Sequence, residues 1–263
     1  MTKILTTLIG GAVIASSLCA DLARVEMGAG IWQQTPSGET KYNGAYTLGG
    51  TDTFRENETD ASYIWMLIKH PIPILPNIRL EYVEASAEGV ASGYWGPKTP
   101  VGSFSVPMPF QSSLTMNQYD IIPYYNLLDN TGWITVDLGI DIKLIDASYS
   151  VKESTGMMGM MGMSTVYEES EMMPLPMLYF RTRLEIPSTD IGLEADVKYI
   201  AYSDSEAADV RVKVDYTLSF IPVVQPAVEV GYRYQKYSFE ESDQDVMFNL
   251  EYSGVYAGLM LRF

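Results

Sequence analysis

Asp137 and Asp141 lie four positions apart, and Glu194 and Asp196 lie two apart. Even spacing puts both members of each pair on one face of an extended chain. Two carboxylates suffice for general acid–base chemistry if one holds a proton while the other accepts one. Arg181, Arg183, Lys198, Arg211, Lys213 and Arg233 stand at matching positions in the same and neighbouring segments. Buried charge persists where it is paired and hydrogen-bonded, so an ion-pair network accounts for these acids better than a catalytic dyad. Arg24, Glu26, Arg79, Glu81 and Glu229 hold equivalent positions elsewhere and complete the expected network.

Other reactive groups are scarce. The chain has one histidine, His70, followed by Pro71, and one cysteine, Cys19. A serine or aspartate nucleophile therefore has no imidazole base except His70. No His or Cys cluster has metal-ligand spacing. Gly28-Ala29-Gly30 runs on into Ile31-Trp32 rather than into a helix, so glycine there is expected to make space, not to cradle phosphate. The acidic groups Glu56, Glu58 and Asp60, Glu168, Glu169 and Glu171, and Glu240, Glu241, Asp243 and Asp245 are expected to be solvated or bridged by divalent ions to nearby phosphates.

Residues 152–173 hold seven of the 15 methionines: Met157, Met158, Met160, Met161, Met163, Met172 and Met173. Thioether sulfur is a soft ligand for Cu(I), and the glycines between the first five would let the segment wrap a metal. Methionine is also a flexible apolar residue favoured on adaptable contact surfaces, and that reading is preferred. No cofactor is implied.

Strands must position these residues. Ile134, Val136, Leu138, Ile140, Ile142 and Leu144 alternate with Thr135, Asp137, Gly139, Asp141 and Lys143. A period of two marks a strand whose faces meet different environments. It recurs at Val25–Ile31, Ile78–Tyr82, Leu193–Tyr199, Val210–Tyr216 and Val228–Tyr234. About ten strands are predicted, near 22–32, 62–70, 77–88, 118–128, 133–151, 174–186, 191–202, 208–220, 227–239 and 245–263, with eight and twelve as alternatives. Short turns near 71–76, 129–132, 187–190 and 222–226 alternate with loops near 33–61, 89–117, 152–173, 203–207 and 240–244.

That asymmetry points to an all-β fold, a transmembrane antiparallel up-and-down β-barrel, apolar toward lipid and polar inside. A soluble sandwich would turn its charges outward. Aromatic residues near strand ends (Trp32, Tyr63, Trp65, Tyr119, Tyr124, Tyr125, Trp133, Tyr149, Tyr179, Tyr199, Tyr202, Phe220, Tyr237) are assigned to interfacial girdles. Val246, Phe248, Leu250 and Tyr252 have the opposite parity to the apolar residues that follow, which predicts a β-bulge near Ser253-Gly254. Pro123 and Pro176 predict interruptions of the ladder.

The chain of 263 residues is 47% hydrophobic with a net charge of −16. It lacks the clustered Lys and Arg that nucleic acid requires. Residues 1–20 have Lys3, an apolar run from Ile4 to about Ile14 and a small-residue stretch ending at Ala20, the pattern of a secretory signal peptide. The barrel is then 21–263, and Cys19 is lost with the leader. Leu18 stands where a lipoprotein signal wants a small residue, so lipidation is not expected.

The final stretch alternates Val255, Ala257, Leu259, Leu261 and Phe263. It resembles the C-terminal assembly signal of bacterial outer-membrane proteins. Together with GAGIW at 28–32 and HPIPILPNIRLEY at 70–82, the chain resembles uncharacterised outer-membrane β-barrel families of Gram-negative bacteria. The resemblance implies a multi-pass barrel in the cell outer membrane, surrounded by lipid and lipopolysaccharide. It also implies the barrel-assembly machinery and periplasmic chaperones as partners in biogenesis, and it implies no activity.

Outer-membrane proteases of the omptin type and outer-membrane phospholipases need a catalytic histidine near the outer face. His70 falls in the first periplasmic turn instead, so no enzyme is expected. A barrel of about ten strands has a narrow interior, which argues against a general porin. The expected role is structural or surface-interacting, with acidic extracellular loops whose ligand is unknown. The alternative is a narrow pore or carrier for small solutes or apolar molecules.

Overall fold

The computed structural model describes residues 24–263 except 43–46, 55–57, 73, 96–97, 100–101, 104–105, 129–132, 154–164, 204, 219–223 and 242–245. Residues 1–20, expected from sequence to be a leader, and the methionines at 157–163 lie outside the described residues. The strands are β1 (Arg24–Tyr42), β2 (Thr47–Phe54), β3 (Thr59–Lys69), β4 (Asn77–Trp95), β5 (Lys98–Thr99), β6 (Gly102–Ser103), β7 (Val106–Leu128), β8 (Ile134–Glu153), β9 (Thr165–Glu185), β10 (Ile191–Tyr202), β11 (Ser205–Thr217), β12 (Gln225–Glu241) and β13 (Val246–Arg262).

All pairings are antiparallel, and β13 pairs with β1 to close the sheet. β2 and β3 both bridge β1 to β4, β2 toward the loop end and β3 toward the turn end, and together make one stave. Ten staves therefore form a closed barrel, as the alternation predicted. β5 and β6 make a separate ribbon.

The outer wall is apolar: Ile31, Ile64, Ile140, Leu178, Val230, Val255 and Leu259 are all exposed. Such a wall is stable only with lipid as its solvent, and closure leaves no unpaired strand edge in that lipid.

Several staves run past their expected ends. β1 continues through residues assigned to a loop, and β4, β7, β8 and β9 extend likewise. The stretch QQTPSGETKY in β1 lacks apolar alternation. The residues there are polar on both faces, outward Gln33 exposed and inward Gln34 buried, so the period-two signal fades while the backbone ladder continues.

The bulge near Ser253-Gly254 is not present. β12–β13 pairing is continuous there, and β1–β13 keeps its register from Trp32↔Tyr256 to Thr35↔Ser253. Leu250, Tyr252, Tyr256, Met260 and Arg262 all face inward. The parity conflict arose because the lumen itself changes from charged to apolar along the strand. Gly254 serves a close backbone approach, since a Cβ there would lie 1.7 Å from the Gln33 carbonyl oxygen.

Pro123 does interrupt a ladder. β7–β8 pairing skips residues 122–123 opposite 140–141 without a register change. Pro176 is paired in register with Ile142 on one side, and on the other lies beyond the end of the β9–β10 ladder. The ladder thus asks no N–H of it on that side.

Candidate functional site

Alternation forces one face of every stave into the lumen, and that face carries most of the chain's buried charge. Among the described residues, nine buried cations (Arg79, Lys143, Arg181, Arg183, Lys198, Arg211, Lys213, Arg233, Arg262) meet ten buried carboxylates (Glu26, Glu81, Asp120, Asp137, Asp141, Glu194, Asp196, Asp209, Asp215, Glu229).

At the turn end, Arg183 grips Asp215 with two nitrogens, at 2.7 and 3.0 Å, and Arg262 adds a third contact at 2.6 Å. Arg24, half-exposed at the mouth, pairs with Glu26 and reaches Glu185 on β9 at 3.4 Å. In the middle, Glu194 accepts from Arg181 at 2.8 Å and from Arg79 at 3.3 Å. Arg79 also bonds Glu81 at 2.6 Å, and Arg211 bonds Asp196 at 2.7 and 2.9 Å.

Aromatic side chains are built into this network. Glu229 accepts from Tyr63 at 2.8 Å, Trp65 at 3.0 Å and Lys213 at 3.0 Å. The Trp65 ring lies 4.4 Å from the Lys213 ammonium and 5.1 Å from the Arg79 guanidinium carbon. A π-face attracts cations strongly when water is excluded. Trp65 occupies the space left by Gly28, where a Cβ would come within 2.5 Å of the indole nitrogen.

Toward the loop end, Lys198 bonds Glu81 at 2.7 Å and Asp120 at 2.5 Å. Lys143 bonds Asp120 at 2.7 Å, and Arg233 holds Asp209 at 2.6 and 2.9 Å. Tyr237 donates to Gln118, which exchanges amide bonds with Gln235. Above this layer the lumen is apolar, filled by Val83, Ala85, Met116, Ile145, Ala207, Leu250 and Tyr252.

The two suspected acid pairs are separated in their bonding. Asp137 is held by Arg181 and Asn126, while Asp141 is in register with Met177 and neither of its oxygens has a hydrogen-bond partner. Glu194 is bound most closely by Arg181 and Asp196 by Arg211, which also reaches Glu194 at 4.0 Å.

All fifteen residues assigned from sequence to the network line the lumen or its mouth. Reasoning from sequence missed Asp120, Lys143, Asp209, Asp215 and Arg262 as members. Lys143, Asp209 and Asp215 share the parity of a member on the same strand, while Asp120 alternates with outward Tyr119 and Ile121 and Arg262 follows outward Leu261. Among the aromatics assigned to girdles, Trp32, Tyr63, Trp65, Tyr124, Tyr179 and Tyr237 are instead buried in the lumen, as their parity required. Tyr119, Tyr125 and Tyr199 do face outward, and Trp133 and Tyr202 are exposed at strand ends. Phe220 lies outside the described residues.

His70 is committed to its turn. Its Nε2 lies 3.0 Å from the Pro76 carbonyl oxygen, and its Nδ1 accepts from the Ile72 N–H at 3.2 Å. No group of three or more His, Cys, Asp or Glu suited to a metal occurs among the described residues. A cavity of about 10 Å³, the size of one water, sits between Trp32, Tyr63, Arg211, Arg233 and Tyr256.

No family model matches the chain, and no curated protein matches it in sequence. Solved structures do. The outer membrane protease OmpT of Escherichia coli is similar with a TM-score of 0.51 at 12% identity, over 92% of this chain and 96% of that one. This likeness is to an outer-membrane β-barrel fold. Neisserial surface protein A aligns over 92% of this chain and 97% of its own, with 14% identity and a TM-score of 0.33. The CymD monoaromatic hydrocarbon channel aligns over 95% and 90%, with 9% identity and a TM-score of 0.31.

Proposed function

We propose that the chain is a non-enzymatic outer-membrane β-barrel with a solid lumen, serving a structural or surface-interaction role through its loop end. The observation that carries this reading is the burial of the network: Arg79, Asp141, Lys143 and Lys198 are each 0% exposed. A side chain beside a water-filled channel is wetted by it. The charged layer and the apolar layer above it instead form a packed interior.

The absence of catalysis is part of the same proposal. His70 is held by its own turn at the end opposite the long hairpins, and the buried carboxylates other than Asp141 are paired with arginine or lysine. In this reading lipid and lipopolysaccharide surround the wall, the assembly machinery recognises Val255, Ala257, Leu259, Leu261 and Phe263, and the five methionines of 157–163 serve contact rather than metal.

The alternative of a carrier for apolar molecules would act on the outer wall. A depression of about 540 Å³ there is lined by Leu184, Leu193, Val212, Val214, Val230 and Val255. The buried side chains of Glu194 and Lys213 lie behind it. Planar-bilayer recording on the refolded protein tests the proposal: no single-channel events are expected. Discrete, ion-selective steps would establish the pore instead.

A further inference from the structure

We propose that the turn His70–Pro76, between β3 and β4, is a lipid-embedded wedge that inserts into the leaflet at the turn end of the barrel. A turn in water is ordinarily polar, but this one holds no acid, lysine or arginine. Ile72, Ile74 and Leu75 are exposed, Ile74 at 84%.

The backbone is prepared for a dry environment. Lipid supplies no hydrogen bonds, so each amide placed there must be satisfied by the protein. Prolines at 71, 73 and 76 remove three donors from the stretch. Three of the four that remain are bound locally: His70 N–H to Asn77 Oδ1 at 3.0 Å, Ile72 N–H to His70 Nδ1 at 3.2 Å, and Leu75 N–H to the Ile72 carbonyl at 3.3 Å. The histidine thus acts as a staple that spares the turn from needing water.

One contact fixes the direction of the turn. The Tyr125 hydroxyl donates to the Ile74 carbonyl at 3.0 Å. Tyr125 belongs to the outward face of β7 with Tyr119, Ile121 and Leu127, which are exposed on the lipid-facing wall. The turn is therefore tied to the outer wall, and its apolar side chains continue the lipid-facing belt. Tyr125 flanks it as interfacial aromatics do. Continuity with the belt identifies the occupant of this surface as phospholipid.

The test uses Ile74→Trp, with Leu75→Trp as a second probe, in the full chain refolded into phosphatidylcholine vesicles. A heat-dependent gel shift confirms that each variant is folded. The added indole, measured as the difference from the parent protein, should be quenched by lipid brominated on the acyl chain and protected from aqueous acrylamide. Adding His70→Ala or Tyr125→Phe should raise acrylamide quenching by loosening the turn. Strong acrylamide quenching with no effect of brominated lipid in both probes would overturn the proposal by placing the turn in water. Protection that disappears as protein is diluted at constant lipid would also overturn it, by assigning the surface to a second copy.

Discussion

Lys198 on β10 donates to Asp120 on β7 at 2.5 Å, across two intervening staves of the barrel. This bond crosses the interior rather than following the wall, and the same ammonium reaches Glu81 on β4 at 2.7 Å. The paired strands β4 and β7, where Glu81 and Asp120 stand in register, are thereby fastened to β10 at one nitrogen.

Lys198→Ala should therefore be among the most damaging single substitutions. Removing one partner of a buried pair leaves uncompensated charge and costs about 3–5 kcal/mol. Urea unfolding in lipid vesicles, followed by the gel shift, should show a much lower midpoint. Combining Lys198→Ala with Asp120→Ala should cost less than the sum of the single changes.

Asp141 should behave in the opposite way. Its carboxylate is buried without a hydrogen-bond partner, whereas Asp137 on the same strand face is bound by Arg181 at 2.5 Å. Asp141→Asn keeps the shape and removes the charge, and it should be neutral or stabilise by about 1–3 kcal/mol. Asp137→Asn should destabilise. Equal effects in the same unfolding assay would contradict this assignment.

Gly28→Leu tests whether glycine makes room for the cation–π centre. A side chain there meets the Trp65 ring, which must then leave its place between Arg79 and Lys213. Overpacking of this kind costs about 1–3 kcal/mol. The folded variant should also show a shifted tryptophan emission, because the indole loses its bond to Glu229.

Sidedness can be read with an impermeant thiol label on intact cells. Glu58→Cys, near the loop end, should label directly, and Ser188→Cys, in the exposed turn between β9 and β10, should label after permeabilisation. The parent chain, with Cys19, sets the background. The reverse order would turn the barrel over. Asn77 is a poor probe for this purpose, because its side chain is buried and bonded to His70 and Asn126.

The legible part of this fold was the part immersed in two different solvents at once. From Ile134 to Leu144 one face meets lipid and the other meets charge, so the alternation gave the strand, its faces and Asp137 and Asp141 together. Where that contrast weakened, reading became harder. The polar continuation of β1 and the short β2 looked like loop, because QQTPSGETKY and TLGGTDTF carry no alternation of apolar and polar residues. Phe248, Leu250 and Tyr252 looked like a reversed face, because apolar residues inside a barrel mimic those outside. Trp32 and Trp65 were assigned by type rather than parity, although each alternates with exposed Ile31 or Ile64. The bonding partners within the network, such as Glu229 with Tyr63 and Trp65, depend on which staves face each other across the lumen. Local spacing does not contain that information.

The apolar layer of Val83, Met116, Ile145, Leu250 and Tyr252 has a consequence for the charges beneath it. Mobile ions screen only fields they can approach, over about 10 Å at 0.1 M and about 3 Å at 1 M. Beneath a dry lid and inside a lipid-bounded wall, the pairs around Lys198 and Glu194 are kept out of reach of that atmosphere. Their contribution should hardly respond to ionic strength, unlike the partly exposed Lys236–Glu206 pair near the rim. The barrel would then keep one stiffness in fresh water and in brine.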